Sequence, residues 1–394
     1  MRQMVGDWCD WPWRICLVVS CGLGSLGLIM VYSSTVDIMA HRVQDPQYYL
    51  NRHLMYAVFG FVVAWLVYRA PVDWWRRAAP YMLALSVVLL ISVLFVGIEV
   101  NGSRRWLGVN GLVTLQVSEL TKLCCLAYLA DHVVRHHRTL TSTDWAFLKP
   151  LAVILVPMLL LLKQPDFGSA VVLMTLTLGV CFLAGARLIP LVSMIVISGC
   201  CAFLLIRYEE YRWNRFISFQ DPFDDPFGKG FQLVQSLISY GRGDLAGEGL
   251  GNSVQKLFFL PESHTDFIFA VISEELGLIG NWLVIAAFVV LVGSIFAIAY
   301  RASQRQQYFS AYFVQGIGLL MALQALLNFG VSMGALPTKG LTLPFISYGG
   351  SSLVINMILI AIVLRSALES QPVKRTSKTA RRVAGPVRRS LVRG

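Results

Sequence analysis

The chain has 394 residues, of which 56% are hydrophobic and only 14% charged, with a mean hydropathy of +0.64. A soluble domain carries about a quarter charged residues, so this balance excludes an ordinary globular domain and points to a membrane protein. The net charge of +11 is lopsided: eight Lys/Arg and no acid follow Gln371, which leaves +3 for the rest.

Apolar runs of roughly 18 residues or more are candidates to span a hydrocarbon core about 30 Å thick. Ten occur, at roughly 14–34, 53–70, 79–98, 115–133, 147–162, 169–186, 188–206, 267–300, 311–335 and 347–366. The predicted fold is therefore an all-α polytopic membrane protein with about ten transmembrane helices. The first run follows an acidic, tryptophan-rich start and is read as a retained helix rather than a cleaved signal. The fourth contains Glu119 and Lys122, and the eighth is too long for one straight crossing, which predicts tilt or a part outside the bilayer. With both ends cytoplasmic, cytoplasmic segments hold 20 Lys/Arg and the short loops opposite hold 6, a strong positive-inside bias. A large extracytoplasmic loop, 207–265, then joins helices 7 and 8. Its aromatics and its DPFDDPFGKGFQ turn signals predict an ordered cap. The domain reading is a cytoplasmic N-terminus (1–13), a membrane domain (14–366) and a basic cytoplasmic tail (367–394). The tail reads as topology-fixing and lipid-attracted, and no nucleic-acid reading element accompanies it.

The eight cysteines include no CxxC pair and none lies in the long loop, so no disulfide framework or zinc site is indicated.

Five stretches could carry chemistry. NGSRRWLGVNG (101–111) sets Arg104, Arg105 and Trp106 among glycines, suited to phosphate oxygens or to interfacial anchoring. In LQVSELTKLCC (115–125), Glu119 and Lys122 are three apart on one helical face. They are either a self-neutralising pair or a lysine oriented toward an anionic ligand. QPDFGS (164–169) holds Asp166, a candidate helix cap. PESHTDFIFAVISEELG (261–277) crowds Glu262, His264, Asp266, Glu274 and Glu275 where the long loop meets span eight. Asp266 there could be a general base, a metal-holding carboxylate or a cap, and Glu274 or Glu275 could pair with a distant base. ALPTKGLTLPFISYGGSS (335–352) brings Lys339 and small polar residues that must line a cavity, and Gln324 and Asn328 suit the same polar face.

Together these stretches carry a resemblance. QPDFG (164–168), GLGNSVQKLFFLPESHTDFIFAVISEELG (249–277) and the basic tail resemble the SEDS family of polytopic cell-wall proteins, over nearly the whole chain. The likeness is closer to its cell-division branch than to the elongation branch, which reads GTQ where this chain reads NSVQK. The resemblance implies a peptidoglycan glycosyltransferase that polymerises lipid II on the periplasmic face of the bacterial inner membrane, at the division septum. It implies that Asp266 is the essential acid and that Arg104, Arg105, Trp106, Glu119 and Lys122 are functional; His264 and Lys339 are further candidates for substrate binding from their place in the sequence. A divalent metal, Mg2+ or Mn2+, is expected, with Asp266 its candidate ligand. The class B penicillin-binding transpeptidase FtsI and other division proteins are the implied partners. One departure is Val117, where the family usually has proline before Ser-Glu. A lipid II flippase and a non-catalytic scaffold for the transpeptidase are the alternative readings. The ionisable groups cluster near the outer face, which favours the transferase over the flippase.

Overall fold

All ten expected segments are helical in the computed structural model, which describes residues 11–42, 45–100, 103–109, 113–257, 259–338 and 340–371. Lys339, the first ten residues and the basic tail after Gln371 lie outside the described residues. The first seven helices are α1 (Trp11–Arg42), α2 (Tyr48–Arg69), α3 (Val72–Val96), α4 (Val117–Ser142), α5 (Leu148–Lys163), α6 (Phe167–Leu183) and α7 (Leu188–Tyr208). The long loop contains α8 (Glu210–Gln220) and α9 (Phe231–Gly243), so the expected ordered cap is present. The bundle closes with α10 (Ile268–Gln304), α11 (Tyr308–Ser332) and α12 (Gly350–Glu369). Seven of these, α1, α2, α3, α7, α10, α11 and α12, are long and apolar enough to cross a membrane, and α6 is apolar but shorter. The chain is a multi-pass membrane protein.

Polarity sorts the helices. α7 buries only Pro190 and Leu191 and leaves Ile189, Val192, Ile195 and Val196 exposed, as a lipid-facing helix should. α4 carries Glu119, Lys122 and Asp131, and a charge against lipid costs several kcal/mol. It is accordingly drawn into the interior, packed on α3, α6 and α11, with all three charged residues buried.

The stretch between α3 and α4 differs from the expected anchor loop. It forms an antiparallel sheet, β1 (Ile98–Val100), β2 (Ser103–Val109) and β3 (Val113–Gln116), in the order β1-β2-β3. Three strands of three, seven and four residues are too short to show a period of two against the apolar runs beside them. The sheet feeds α4 through Gln116, whose backbone is extended (φ −81°, ψ 108°). Extended is also the conformation that a following proline imposes, and Val117 occupies the first helical position, where proline is tolerated. Val117 therefore follows the backbone path that the family's proline would set.

α10 is 37 residues long because it is two pieces, broken at Gly277 (φ 66°, ψ −165°). The break is splinted by the loop. Glu248 N donates to Glu274 O at 2.9 Å and Gly249 N to Glu275 O at 3.0 Å. In return, Leu278 N donates to Asp244 O at 2.9 Å and Ile279 N to Leu245 O at 3.2 Å. Only a residue without Cβ fits here. A Cβ at Gly277 would stand 2.4 Å from Gly247 N and 2.6 Å from Leu245 O, both backbone atoms. Gly277→Ala should therefore destabilise the fold by roughly 3 kcal/mol, from the left-handed backbone and the clash together. Gly241→Ala, at a helical position with open space around it, should not. Thermal unfolding in detergent compares the two, and equal midpoints would contradict the splint.

Candidate active site

Asp266 stands where the long loop enters α10, but it does not cap the helix. Phe267 occupies the cap position and no side chain caps it. The preceding turn is held by Thr265 N and Phe267 N, which donate to Glu262 O at 3.1 and 3.3 Å. Four hydrogen bonds strap this turn to the 341–349 loop. Asn328 Nδ2 donates to Asp266 O (3.0 Å) and to Leu341 O (2.8 Å). Ser347 Oγ donates to Thr265 O at 2.6 Å, and Tyr348 N to His264 O at 2.8 Å. With its backbone fixed in this way, the Asp266 carboxylate faces Gly340. A Cβ at Gly340 would lie 3.5 Å from Asp266 Oδ2 and 3.7 Å from Arg105 Nη1, so acid and guanidinium approach across a bare glycine. Arg105 is aimed by Pro165 O, which accepts from its Nη2 at 2.5 Å.

Asp266 is partly buried, and its enclosure pushes the carboxyl up to about 7. The like charge of Glu262 pushes in the same direction, while Arg215 and Arg105 oppose it. His264 is disfavoured as a cation by its enclosure, with Glu262 opposing. Its ring packs 5.0 Å from Tyr49 and 5.7 Å from Tyr348, centroid to centroid.

The structure separates several residues that the sequence grouped. Arg104 and Arg105 alternate on β2 and take opposite sides, since Arg104 pairs with exposed Glu99 at 3.2 Å. Trp106 pairs in register with Ile98 and Gln116 in the sheet. Glu119 and Lys122 form an ion pair of 2.6 Å with side chains 7% and 1% exposed, enclosed rather than presented to a ligand. Asp166 caps α6, accepting from Ser169 N at 3.2 Å. Glu274 and Glu275 turn away from Asp266 and hold the loop residues Ser253 and Lys256. Sequence reasoning missed Arg215 and Gly340. Nothing in a glycine within a Gly/Pro-rich loop, or in an arginine on the polar face of α8, marks them as neighbours of an acid far away in the chain.

The expected divalent cation finds little to hold it. Among the described residues there is no group of three His, Cys, Asp or Glu that could hold a metal ion. Asp266 has one further carboxylate, Glu262, and two arginines in its field. That donor set does not fit a resident metal site, although Mg2+ bound by one carboxylate and substrate phosphates would need no more.

Beside the site, α5 and α7 frame a groove of about 520 Å³. Leu159, Leu160, Leu162 and Leu205 line it, and Lys163, Glu209 and Arg212 stand at its rim. The groove joins the site through the 163–167 turn: Pro165 aims Arg105, and Arg212 lies 5.3 Å over the Phe167 ring.

The fold and the site together are those of a polytopic membrane protein with an acid in the field of two arginines at one end of its helical bundle and an apolar groove nearby. The chain belongs to the FtsW/RodA/SpoVE family of cell cycle proteins, whose profile matches residues 14–371. It is 45% identical to a Coxiella burnetii protein over 92% of this chain and 98% of that one. It is 46% identical to a Marinobacter nauticus protein over 91% and 90%. Both are named "Probable peptidoglycan glycosyltransferase FtsW". Among solved structures, a chain of a peptidoglycan synthase complex that coordinates polymerization and crosslinking superposes with a TM-score of 0.73 at 28% identity. The alignment covers 90% of this chain and 97% of that one. The Thermus thermophilus rod shape determining protein RodA superposes with a TM-score of 0.67 at 25% identity, over 93% and 99%.

The electrostatics of Asp266 can be read without any assay of activity. Infrared spectroscopy should show a protonated carboxyl band, absent in Asp266→Asn, that titrates near pH 7. Glu262→Gln removes the like charge and should move the midpoint down, and Arg105→Gln should move it up. A band already lost well below neutrality would contradict the enclosure.

Proposed function

We propose that this chain is a peptidoglycan glycosyltransferase that polymerises lipid II, the polyprenyl-pyrophosphate-linked disaccharide-pentapeptide, into glycan strands during septal wall synthesis. The observation that carries the reading is Asp266, a carboxylate raised toward neutrality, free of any capping role and facing Arg105 across Gly340. A base works best with a pKa near the operating pH, and enclosure supplies that value here. Family membership and the names of the relatives support the same activity.

In the proposed reaction the acceptor sugar hydroxyl loses its proton to Asp266. Its oxygen attacks the donor's anomeric carbon from the face opposite the leaving group. The bond from that carbon to the pyrophosphate oxygen breaks with its electron pair, inverting the centre and releasing polyprenyl pyrophosphate. Fixed positive charge aimed at the departing oxygens lowers the barrier because it needs no reorganisation. Arg105 and Arg215 are the groups for this, rather than Lys122, whose charge Glu119 already neutralises. The α5–α7 groove suits the polyprenyl chain, with Lys163 and Arg212 at the headgroup level. A divalent cation, Mg2+ or Mn2+, belongs to the proposal as a companion of the substrate pyrophosphate, and no step above runs through it. The inner membrane at the septum, with the active end periplasmic, and a class B transpeptidase partner such as FtsI complete the reading. The likeness to the synthase complex supports the partner.

The test is polymerisation of labelled lipid II by the chain with its transpeptidase partner, the partner's own active site blocked. Wild type should make strands, and Asp266→Asn should lose activity by at least 100-fold, on the order of what removing a general base costs. Because Asp266 must be ionised to act, the rate should rise with pH through about 7. An Asp266→Asn variant that polymerises at the wild-type rate refutes the assignment. A wild type that makes no strands while moving lipid II across the bilayer favours a flippase.

A further inference from the structure

Two carboxylates of the same short stretch lie outside the active site, yet they are among the most enclosed charges in the protein. Glu274 and Glu275 are both 0% exposed, and Lys256 is 2% exposed. Lys256 Nζ donates to Gly251 O at 2.6 Å and lies 3.3 Å from Glu275 Oε1, 3.4 Å from Ser33 Oγ and 3.7 Å from Asp37 Oδ2. Ser33 Oγ donates to the same Glu275 oxygen at 2.6 Å. Glu274 accepts from Ser253 Oγ (2.5 Å), Val254 N (3.0 Å) and Gln255 N (3.3 Å), and Arg242 Nε approaches to 3.3 Å. The loop at 251–256 is thus sealed simultaneously onto α1 and onto the first piece of α10.

Buried ion pairs are poor devices for stability, since apolar side chains of similar volume do as well or better. What a directional pair supplies is a fixed geometry. The first piece of α10, 268–276, is cut from the rest at Gly277 and carries Asp266 at its other end. Asp266 lies about 16 Å from the break at 1.5 Å per residue. A tilt of only about 4° there therefore moves the carboxylate by about 1 Å, a displacement that can cost on the order of 100-fold in rate.

We propose that Lys256 and Glu275 are positioning residues for the reaction: their pair locks the 268–276 segment against the loop and so fixes Asp266 opposite Arg105. The proposal rests on Asp266 being the base. It also gives the long loop a catalytic consequence without requiring it to touch substrate, since whatever moves 251–256 bears on the helical piece that carries Asp266.

The experiment uses the complex with its transpeptidase partner and measures kcat, KM and thermal midpoint for each variant. Lys256→Met and Glu275→Gln each break the pair and should lose both midpoint and kcat. The double variant Lys256→Met/Glu275→Leu removes both charges of the pair together, leaves neither without its partner, and should recover the midpoint. Its kcat should stay at least about tenfold down with KM within about twofold, because the segment is packed but no longer registered. A double variant that recovers kcat together with its midpoint makes the pair structural only and overturns the proposal. A rise in KM at unchanged kcat overturns it as well, by assigning the loop to substrate binding. If the double variant does not fold, Ser33→Ala gives the same kcat-against-KM reading, since it removes one donor to Glu275 and no charge. An active Asp266→Asn control would instead sink the base itself, so the two failures are distinguishable.

Discussion

The site hangs on the side-chain amide of Asn328. One Nδ2 group donates to both Asp266 O and Leu341 O, tying the end of the long loop to the loop that carries Gly340. Asn328 is 2% exposed on α11, a helix packed against α10 over much of its length. Removing the amide would leave the buried Leu341 carbonyl unpaired, at about 1–3 kcal/mol, and the part-buried Asp266 carbonyl without its tie. The consequence would reach past stability, because Asp266 and Arg105 face each other only while these two loops keep their register. Ser347 repeats the same solution, accepting from Leu343 N and donating to Thr265 O.

This use of small polar side chains follows from the medium. Irregular backbone near a lipid bilayer is tolerated only where protein or a water-lined cavity satisfies it. At the loop-bearing end, Ser351 bridges Gln116 N and Thr114 O, and Gln164 Nε2 donates to Leu90 O. These bonds join the sheet to α12 and the 163–167 turn to α3. The loops there are parts of one hydrogen-bonded cap, which lets an acid on one loop face an arginine on another. The opposite end of the bundle is held by ion pairs, Arg76 and Arg135 with Asp131 and Arg365 with Glu369.

The helices were legible in the sequence because each needs a long apolar run, and ten such runs are hard to hide. The mouth of α10 was legible as well, since His264, Thr265 and Asp266 interrupt apolarity at a loop boundary. What stayed hidden was of two kinds. The sheet at 98–116 consists of strands too short to show their period, and the break in α10 is one glycine in an apolar run, unremarkable until Gly247 is seen against it. Arg215 was hidden, and so was the approach of Arg105 to Asp266, because both arginines come from distant elements whose docking depends on tertiary packing. The Glu119–Lys122 spacing announced a pair but not its enclosure, which only the interior position of α4 decides.

The crowding of acids at 262–275 thus resolves into a division of labour along one short helix. Glu274 is saturated by donors from 253–255, and Glu275 is committed to Lys256 and Ser33. Both serve as ligands for the loop. Asp266 has its backbone oxygen tied down while its enclosed carboxylate is left to the field of Glu262 and two arginines. A carboxylate engaged by donors from the loop and from α1 is a fastener, and one held by its main chain with its side chain left uncommitted is a reagent. The chain needs both within one helix because the fasteners must act on the same rigid piece that carries the reagent. Placed beyond Gly277, they would hold the bundle but not the piece that carries Asp266.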